Sequence, residues 1–211
     1  MARSTRPAIL SVVLVVLLSA CATVPPPTPM PTTPAPTPYP SETPLPCPSG
    51  HERYVDGDTG FSVCYPSGWT TSRYEDAEKK AVGVDFTAPT ETASPVPKRI
   101  SVRAAAVTAT YDEAQLLEDF VIELMNRRAR SGQEVVPIQS ILVDGWQAAE
   151  DVQEGPVQLG GVQVRVTQWM AGFPAYQNMW YISISGPSEP KEEVETIYRQ
   201  FLLEFHLLPR S

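Results

Sequence analysis

The chain has 211 residues, 42% of them hydrophobic, with 16 basic and 24 acidic side chains and a formal net charge of −8. This length is enough for a well-filled core. The acidic balance, without any basic stripe interleaved with aromatic residues, excludes nucleic acid as a partner.

Residues 1–20 have the composition of a secretory signal. Arg3 and Arg6 precede an apolar run from Ala8 to Leu18, and a run of about a dozen residues is shorter than the roughly 20 that a membrane-spanning helix needs. The run ends in Leu18-Ser19-Ala20-Cys21, which resembles the lipobox of bacterial lipoproteins. The alternative is an ordinary signal peptide in which Ala20 merely precedes a cysteine.

The lipobox resemblance implies that the peptide is cut before Cys21 and that the cysteine sulfur is diacylated. Two acyl chains make attachment lasting, because each buried CH₂ contributes about 0.8 kcal/mol. We therefore predict a lipid-anchored, extracytoplasmic protein at the outer face of the cell membrane. Without Arg3 and Arg6, 14 basic residues stand against 24 acidic ones, a net charge of −10.

Residues 21–46 are predicted to comprise the lipidated cysteine and a stalk. Eleven of the 25 residues from Ala22 to Pro46 are proline and six are threonine. Because proline fixes φ and lacks a backbone donor, this segment favours polyproline II at about 3.1 Å per residue, a reach on the order of 75 Å. A passive spacer is the simpler interpretation, and O-glycosylation of the stalk is the alternative.

Two cysteines remain for residues 47–211, the predicted globular domain. Cys47 and Cys64 form an even pair outside the cytoplasm, where disulfides persist. A bridge between them would close a loop of about 17 residues and contribute roughly 3 kcal/mol. It would also join the end of the stalk to the first predicted strand. The alternative is two buried free thiols.

The first half of the domain is predicted to consist of strands. Phe61 to Tyr65 alternates as a strand and ends at the turn Pro66-Ser67-Gly68, after which Trp69 begins another extended stretch. Ala81 to Thr87 and Arg99 to Val107 are the next two predicted strands.

Two helices and several hairpins follow. Thr110 and Glu113 form a capping box, and the apolar residues after it recur at helical spacing: Leu117, Phe120, Val121 and Leu124. Asp144-Gly145 predicts a two-residue hairpin. Further strands begin at Val162 and Trp180, and a closing helix presents one apolar face: Val194, Ile197, Tyr198, Phe201, Leu202 and Phe205.

Hairpin-linked strands with one helix between them and one at the end predict an α+β fold with a mostly antiparallel sheet. The run from Gly60 to Trp69 (GFSVCYPSGW) resembles the opening of the PsbP-like family, which includes PsbP and Mog1, and the order of elements through residue 208 is similar as well. The resemblance implies an α/β/α sandwich. It implies no catalytic residues, because the family's binding and assembly proteins share no catalytic motif.

No residue pattern predicts catalysis, a cofactor or a metal. Asp58-Thr59-Gly60 is the tripeptide of aspartic proteases, but it lacks the apolar lead-in and a second copy. A calcium loop starting at Asp56 would need glutamate at its twelfth position, where Ser67 stands. His51 and His206 have no partners at metal-ligand spacing, and His206 is predicted to lie in the closing helix.

Three aromatic residues are the candidate contacts with a ligand or partner: Trp169, Phe173 and Tyr176. Trp169 falls on the polar face of the strand that begins at Val162, and Pro174-Ala175-Tyr176 is typical of a hairpin tip. We therefore expect an exposed aromatic tip, which would be a contact surface. Core packing is the alternative for each of the three.

Three functional hypotheses follow. The preferred one is a non-catalytic binding or assembly module, tethered to the membrane through Cys21, whose partner is an envelope protein. The alternative is a carrier or scavenger of an apolar small molecule or lipid, which would require an enclosed apolar cavity. A third, an envelope hydrolase, would require carboxylates to converge in a cleft, and the candidates are Asp56, Asp58, Glu150 and Asp151.

Overall fold

The structure, a computed structural model, describes residues 46–90, 96–107, 112–131 and 137–209. The predicted signal, Cys21 and the stalk up to residue 45 lie outside these ranges, and so does Thr110 of the predicted capping box. Neither helix in the described ranges combines the length and the apolar composition needed to cross a bilayer.

The described residues form ten strands and two helices. The strands are β1 (His51–Asp56), β2 (Phe61–Pro66), β3 (Thr70–Asp76), β4 (Ala81–Thr87), β5 (Arg99–Ala106), β6 (Gln139–Val143), β7 (Trp146–Leu159), β8 (Val162–Ala175), β9 (Asn178–Pro187) and β10 (His206–Leu207). The helices are α1 (Glu113–Ser131), between β5 and β6, and α2 (Lys191–Leu203), between β9 and β10.

The strands make two antiparallel sheets. Seven of them form the large sheet, in the order β3-β4-β5-β9-β8-β7-β6, and three form a small sheet, in the order β1-β2-β10. In the small sheet the last strand pairs with an early one, Leu207 lying opposite Phe61. The small sheet therefore brings the beginning and the end of the described chain together.

Helix α1 covers one face of the large sheet. Phe120 and Leu124 pack there with Ala149 and Met179. Gly172 of β8 permits this close approach, because a Cβ atom at that position would lie 2.2 Å from the Phe120 ring. A larger residue at position 172 would push the helix away from the sheet.

Helix α2 and the small sheet cover the opposite face, and the main core lies between them and the large sheet. Its largest fully buried side chains include Trp180, Tyr198 and several phenylalanines: Phe61, Phe86, Phe173, Phe201 and Phe205. Helices on both faces of an antiparallel sheet confirm the predicted α+β sandwich.

The ends of both helices differ in detail from the sequence prediction. Helix α1 begins at Glu113, and the Asp112 carboxylate accepts a hydrogen bond from the Ala114 backbone N–H at 3.0 Å, which is the role of an N-cap. Helix α2 ends at Leu203, so the placement of His206 in this helix was wrong. His206 lies in β10, whereas the apolar periodicity continues to Phe205 because that ring enters the same core.

The predicted disulfide is present. Cys47 and Cys64 are bridged, with their Cα atoms 5.6 Å apart and 17 residues between them in sequence. Cys64 lies in β2, so the bridge ties the residue that follows the predicted stalk to the middle strand of the small sheet. The free-thiol alternative is excluded.

Candidate contact surface at the hairpin tips

Three hairpins of the large sheet have loops of two residues, which are Asp144-Gly145, Gly160-Gly161 and Tyr176-Gln177. All six loop residues have positive φ, between 50° and 84°. Two successive positive values are typical of a type I′ turn, which favours Asn, Asp and Gly. The first two loops have such sequences, and Tyr176-Gln177 does not.

Tyr176 and Gln177 are therefore held in an unfavourable backbone conformation. Their φ angles are 51° and 60°, a region in which a bulky residue is an outlier. The Asn178 side-chain amide donates a hydrogen bond to the Tyr176 carbonyl oxygen at 3.0 Å and supports the turn. Conformations of this kind cost on the order of 1–3 kcal/mol each and cluster at functional sites.

The Tyr176 ring packs against Trp146. The two ring centroids lie 5.4 Å apart at an interplanar angle of 70°, an edge-to-face arrangement. Tyr176 is 38% exposed, and Trp146 is half-buried at the margin of the main core. We call these two residues the aromatic tip. Trp146 follows Asp144-Gly145 directly, so the aromatic tip joins the loops of two neighbouring hairpins.

The Asp144-Gly145 loop, which directly precedes Trp146, is attached to β10 through the Asp144 side chain. Its carboxylate accepts a hydrogen bond from the Leu207 backbone N–H at 2.8 Å and lies 3.1 Å from His206 Nδ1. Aspartate also tolerates the positive φ that this loop position requires. One side chain thus closes the hairpin and holds β10 beside it.

The structure corrects the other two candidate contacts. Trp169 is 1% exposed and Phe173 is fully buried, so neither belongs to an exposed tip. The contact role of Tyr176 stays a prediction. Trp146, which was not one of the three predicted contacts, lies beside Tyr176 because Ala149 pairs with Gly172, which brings the two loops to the same end of the sheet.

The position of Trp169 was misjudged because β8 has two different halves. Val162, Val164 and Val166 face the side of the sheet that α1 covers, yet Val162 is 61% exposed and Val164 and Val166 are only partly buried. Trp169 lies on the opposite face of β8, beneath α2, where the Lys191 ammonium is 5.6 Å from the centre of the Trp169 ring. The alternating valines therefore lie on the less buried face of this strand, and Trp169 lies on the more buried one.

The four carboxylates that a hydrolase would need do not converge. Glu150 and Asp151 are neighbours in β7, so their side chains lie on opposite faces of the sheet. Arg199 of α2 donates hydrogen bonds to Glu150 from both terminal guanidinium nitrogens, Nη1 and Nη2, and Arg128 of α1 binds Asp151.

The other two carboxylates have a structural role in the turn after β1. Asp56 accepts hydrogen bonds from the Thr59 backbone N–H at 3.0 Å and the Thr59 hydroxyl at 3.0 Å. Arg73 lies 3.5 Å from Asp56 and 3.3 Å from Asp58. The described residues contain no group of three or more His, Cys, Asp or Glu side chains that could hold a metal ion.

The main core is occupied by aromatic rings in mutual contact. Phe61 and Phe205 stack at 5.5 Å, and Trp180 meets Phe205 at 5.9 Å. Tyr198 is buried in the same layer, and burial beside the Glu150 carboxylate raises its pKa well above the ordinary value of 10.0. An apolar ligand held between the large sheet and α2 would have to displace these rings.

The fold is similar to that of a known protein. The solution structure of cyanobacterial PsbP (CyanoP) from Synechocystis sp. PCC 6803 aligns with a TM-score of 0.54 at 17% identity, over 81% of this chain and 99% of that one. The PsbP-like fold implied by the sequence resemblance is therefore confirmed.

Two other solved structures align less well. LpqN, described as involved in cell envelope biogenesis of Mycobacterium tuberculosis, gives a TM-score of 0.44 at 15% identity, over 75% of this chain and 91% of that one. A protein from Bacteroides thetaiotaomicron VPI-5482 gives 0.45 at 15% identity, over 76% and 50% of the two chains. No family model and no curated protein matches the sequence.

Proposed function

We propose that the protein is an extracytoplasmic lipoprotein, anchored through Cys21, whose globular domain is a non-catalytic binding or assembly module. Its contact surface is the aromatic tip, and its partner is another protein of the envelope. The single observation that carries the binding role is Tyr176, a half-exposed aromatic residue kept in a backbone conformation that Asn or Gly would adopt with less strain.

Three features of the sequence support the anchor. They are the basic start, the short apolar run and the small residues before Cys21. The disulfide supports exported status, because disulfides persist outside the cytoplasm. Mass spectrometry of the amino-terminal peptide tests the anchor. We expect a diacylated Cys21 in the membrane fraction and a Cys21→Ala variant that leaves it. An unmodified peptide beginning after Ala20 would contradict the anchor.

The aromatic tip suits protein recognition. Aromatic residues are enriched at interfaces because they contribute a large contact area while losing little side-chain entropy. The edge-to-face packing on Trp146 also orders the Tyr176 ring before a partner arrives. A preordered contact reduces the entropic cost of binding.

Capture from the native membrane tests the binding role. The wild-type protein is compared with Tyr176→Asn, which removes the ring but suits the positive φ, and with Met125→Gln on the exposed side of α1, where Met125 is 51% exposed. We expect one envelope protein to be recovered with the wild type and with Met125→Gln, and at least tenfold less of it with Tyr176→Asn. Equal recovery with all three would remove the aromatic tip as the contact surface.

The packed core gives the carrier hypothesis less support than the binding module. A lipid or other apolar molecule recovered in equal amounts with the wild type and Tyr176→Asn would favour a carrier. Lipid analysis of the same captured samples distinguishes the two functions.

A further inference from the structure

The hairpin of β7 and β8 extends beyond the strands on either side of it. β6 pairs with β7 only as far as Glu150, and β9 pairs with β8 only from Val166 onward. In the described part of the chain, residues 155–165 therefore form a two-stranded ribbon, closed by Gly160-Gly161. A ribbon of two strands has little independent stability in water. We call residues 155–165, together with Val166 at the base of the ribbon, the projecting hairpin.

One face of the projecting hairpin is apolar. Val157 pairs with Val164 and Leu159 with Val162, and paired residues lie on the same face of a sheet. Val157 is 43% exposed, Leu159 37% and Val162 61%. This is the face on which α1 packs nearer the centre of the sheet, where Arg128 meets Asp151. More than a third of each of these three residues is therefore open to solvent.

The apolar face also carries no charged side chain. No ionisable residue occurs from Gly155 to Val164, although 19% of the chain is charged. The charged residues that flank this stretch, Glu154 and Arg165, lie on the opposite face, where Glu154 binds Lys191 of α2 at 2.5 Å. The projecting hairpin therefore presents a neutral apolar surface on an otherwise acidic protein.

We propose that this face packs against the same face of a second copy of the chain. Two acidic copies repel one another, and a neutral face lets them meet without bringing carboxylates together. A symmetric pair is self-complementary, so Val157 and Leu159 of one copy can cover Val162 and Val164 of the other. The contact is made by the face of the hairpin and not by its open edge. Pro156, which has no backbone N–H, lies in that edge and discourages strand addition.

The area of the apolar face limits the affinity of one copy for the other. Five residues per strand span about 17 Å, and two strands lie about 5 Å apart. Such a contact covers far less than the roughly 800 Å² per partner of a stable interface. The pair is therefore weak in dilute solution and forms where copies are concentrated. Here the inference rests on the proposed anchor, because tethering to one membrane raises the effective concentration of each copy for the next.

Photocrosslinking of the full lipidated chain in phosphatidylcholine vesicles tests the pair. Val162 is replaced by p-benzoylphenylalanine, and the vesicles contain equal amounts of chain with natural-abundance and ¹⁵N nitrogen. We expect a crosslinked product of mixed isotopic composition whose second peptide contains residues 155–166. Adducts to lipid would show that the face inserts into the bilayer and would overturn the proposal, as would crosslinks within one copy only.

Two further substitutions are matched controls. Val157→Asp adds a charge to the apolar face and should reduce the mixed crosslink at least tenfold. Leu142→Asp adds the same charge to a residue of β6 that is 72% exposed near the opposite end of the sheet, and it should leave the yield unchanged. A crosslink unaffected by Val157→Asp would refute the pairing.

Failure of the anchor would be recognised separately. If Cys21 is not acylated, the chain does not reconstitute into vesicles, and the pair is then measured in solution by sedimentation of the secreted chain over a concentration series. We expect weak association that Val157→Asp abolishes. A chain that stays monomeric at the highest concentration, with or without Val157→Asp, would rule out the pair independently of the anchor.

Discussion

At the scale of single residues, the three two-residue loops of the large sheet form an internal comparison. They share one backbone geometry, with positive φ at both positions, and they differ in sequence. Asp144-Gly145 and Gly160-Gly161 adopt this geometry at little cost, and Tyr176-Gln177 adopts it with strain. Turn geometry alone would therefore favour Asn or Gly at position 176, so the Tyr176 side chain is present at a cost in backbone strain.

Replacing the strained loop by Asn-Gly should therefore stabilise the domain. We expect the double substitution Tyr176→Asn, Gln177→Gly to raise the free energy of unfolding by about 1–2 kcal/mol, because the new residues suit a type I′ turn. Urea unfolding measures the change. The same variant should lose the captured partner, so stability and binding should move in opposite directions. An unchanged free energy of unfolding would show that the loop is not strained.

Tyr198 makes stability depend on pH in the alkaline range. Burial raises its pKa in the folded protein well above the ordinary value of 10.0, so the folded state keeps a proton that the unfolded chain loses near pH 10. The contribution to stability is full below about pH 10 and is lost as the pH rises toward the folded pKa. We expect Tyr198→Phe to lose less stability than the wild type between about pH 9 and 10.5 in urea unfolding. Parallel curves for the two proteins would contradict this.

At the scale of elements, the sequence predicted most strands and both helices, and it predicted the β6–β7 and β8–β9 turns. The local sequence is enough to predict an element when a short motif strongly favours one conformation, as Asp144-Gly145 favours a two-residue hairpin loop. They failed at Trp169, because alternation shows only that two faces differ. Which face is buried depends on where α1 ends over β8 and where α2 begins. Both are determined by tertiary packing and not by the local sequence of β8.

The two-residue strand β10 was not predictable from local pattern either. His206-Leu207 is too short to show alternation, and it becomes a strand only because β2 lies beside it and Asp144 binds the Leu207 backbone N–H. The aromatic tip has the same origin. Tyr176 was predicted from its own loop, whereas Trp146 became its partner through the pairing of β7 with β8.

Helix α1 is fastened to the sheet by a buried ion pair. The side chains of Arg128 and Asp151 are 3% and 0% exposed, and Gln153 donates a further hydrogen bond to Asp151 at 2.6 Å. Removing one partner of such a pair leaves the other buried without its counter-charge, which costs about 3–5 kcal/mol. We expect Asp151→Ala to lower the free energy of unfolding, measured with urea, by about 3–5 kcal/mol. Amide hydrogen exchange in the last turns of α1 should also become faster.

A double substitution separates the pair from the packing around it. Because apolar residues of similar volume often replace a buried ion pair without loss, Arg128→Met with Asp151→Leu should recover most of the stability that Asp151→Ala loses. A double variant as unstable as the single one would show that the charges themselves, and not merely their pairing, are required for the docking of α1.

At the scale of the whole molecule, the two proposed contact surfaces lie at opposite ends of β7. The aromatic tip adjoins Trp146, where the strand begins, and the projecting hairpin contains Leu159, where it ends. Fourteen residues of strand separate the two surfaces by about 45 Å. A pair formed through the projecting hairpins would leave both aromatic tips accessible. Two linked tips would bind a repeated partner more tightly than one, through effective concentration alone.

The disulfide fixes residue 47 to the small sheet. Cys47 directly follows the predicted stalk, and its bridge joins it to Cys64 in β2, the middle strand of the small sheet. We expect the double substitution Cys47→Ser, Cys64→Ser to lower the free energy of unfolding by about 3 kcal/mol, because the closed loop of 17 residues no longer restricts the unfolded chain. Urea unfolding with and without reductant measures this. Reductant should shift the wild type toward the variant and leave the variant unchanged. A wild-type midpoint that does not move on full reduction would show that the bridge does not contribute to the stability of the domain.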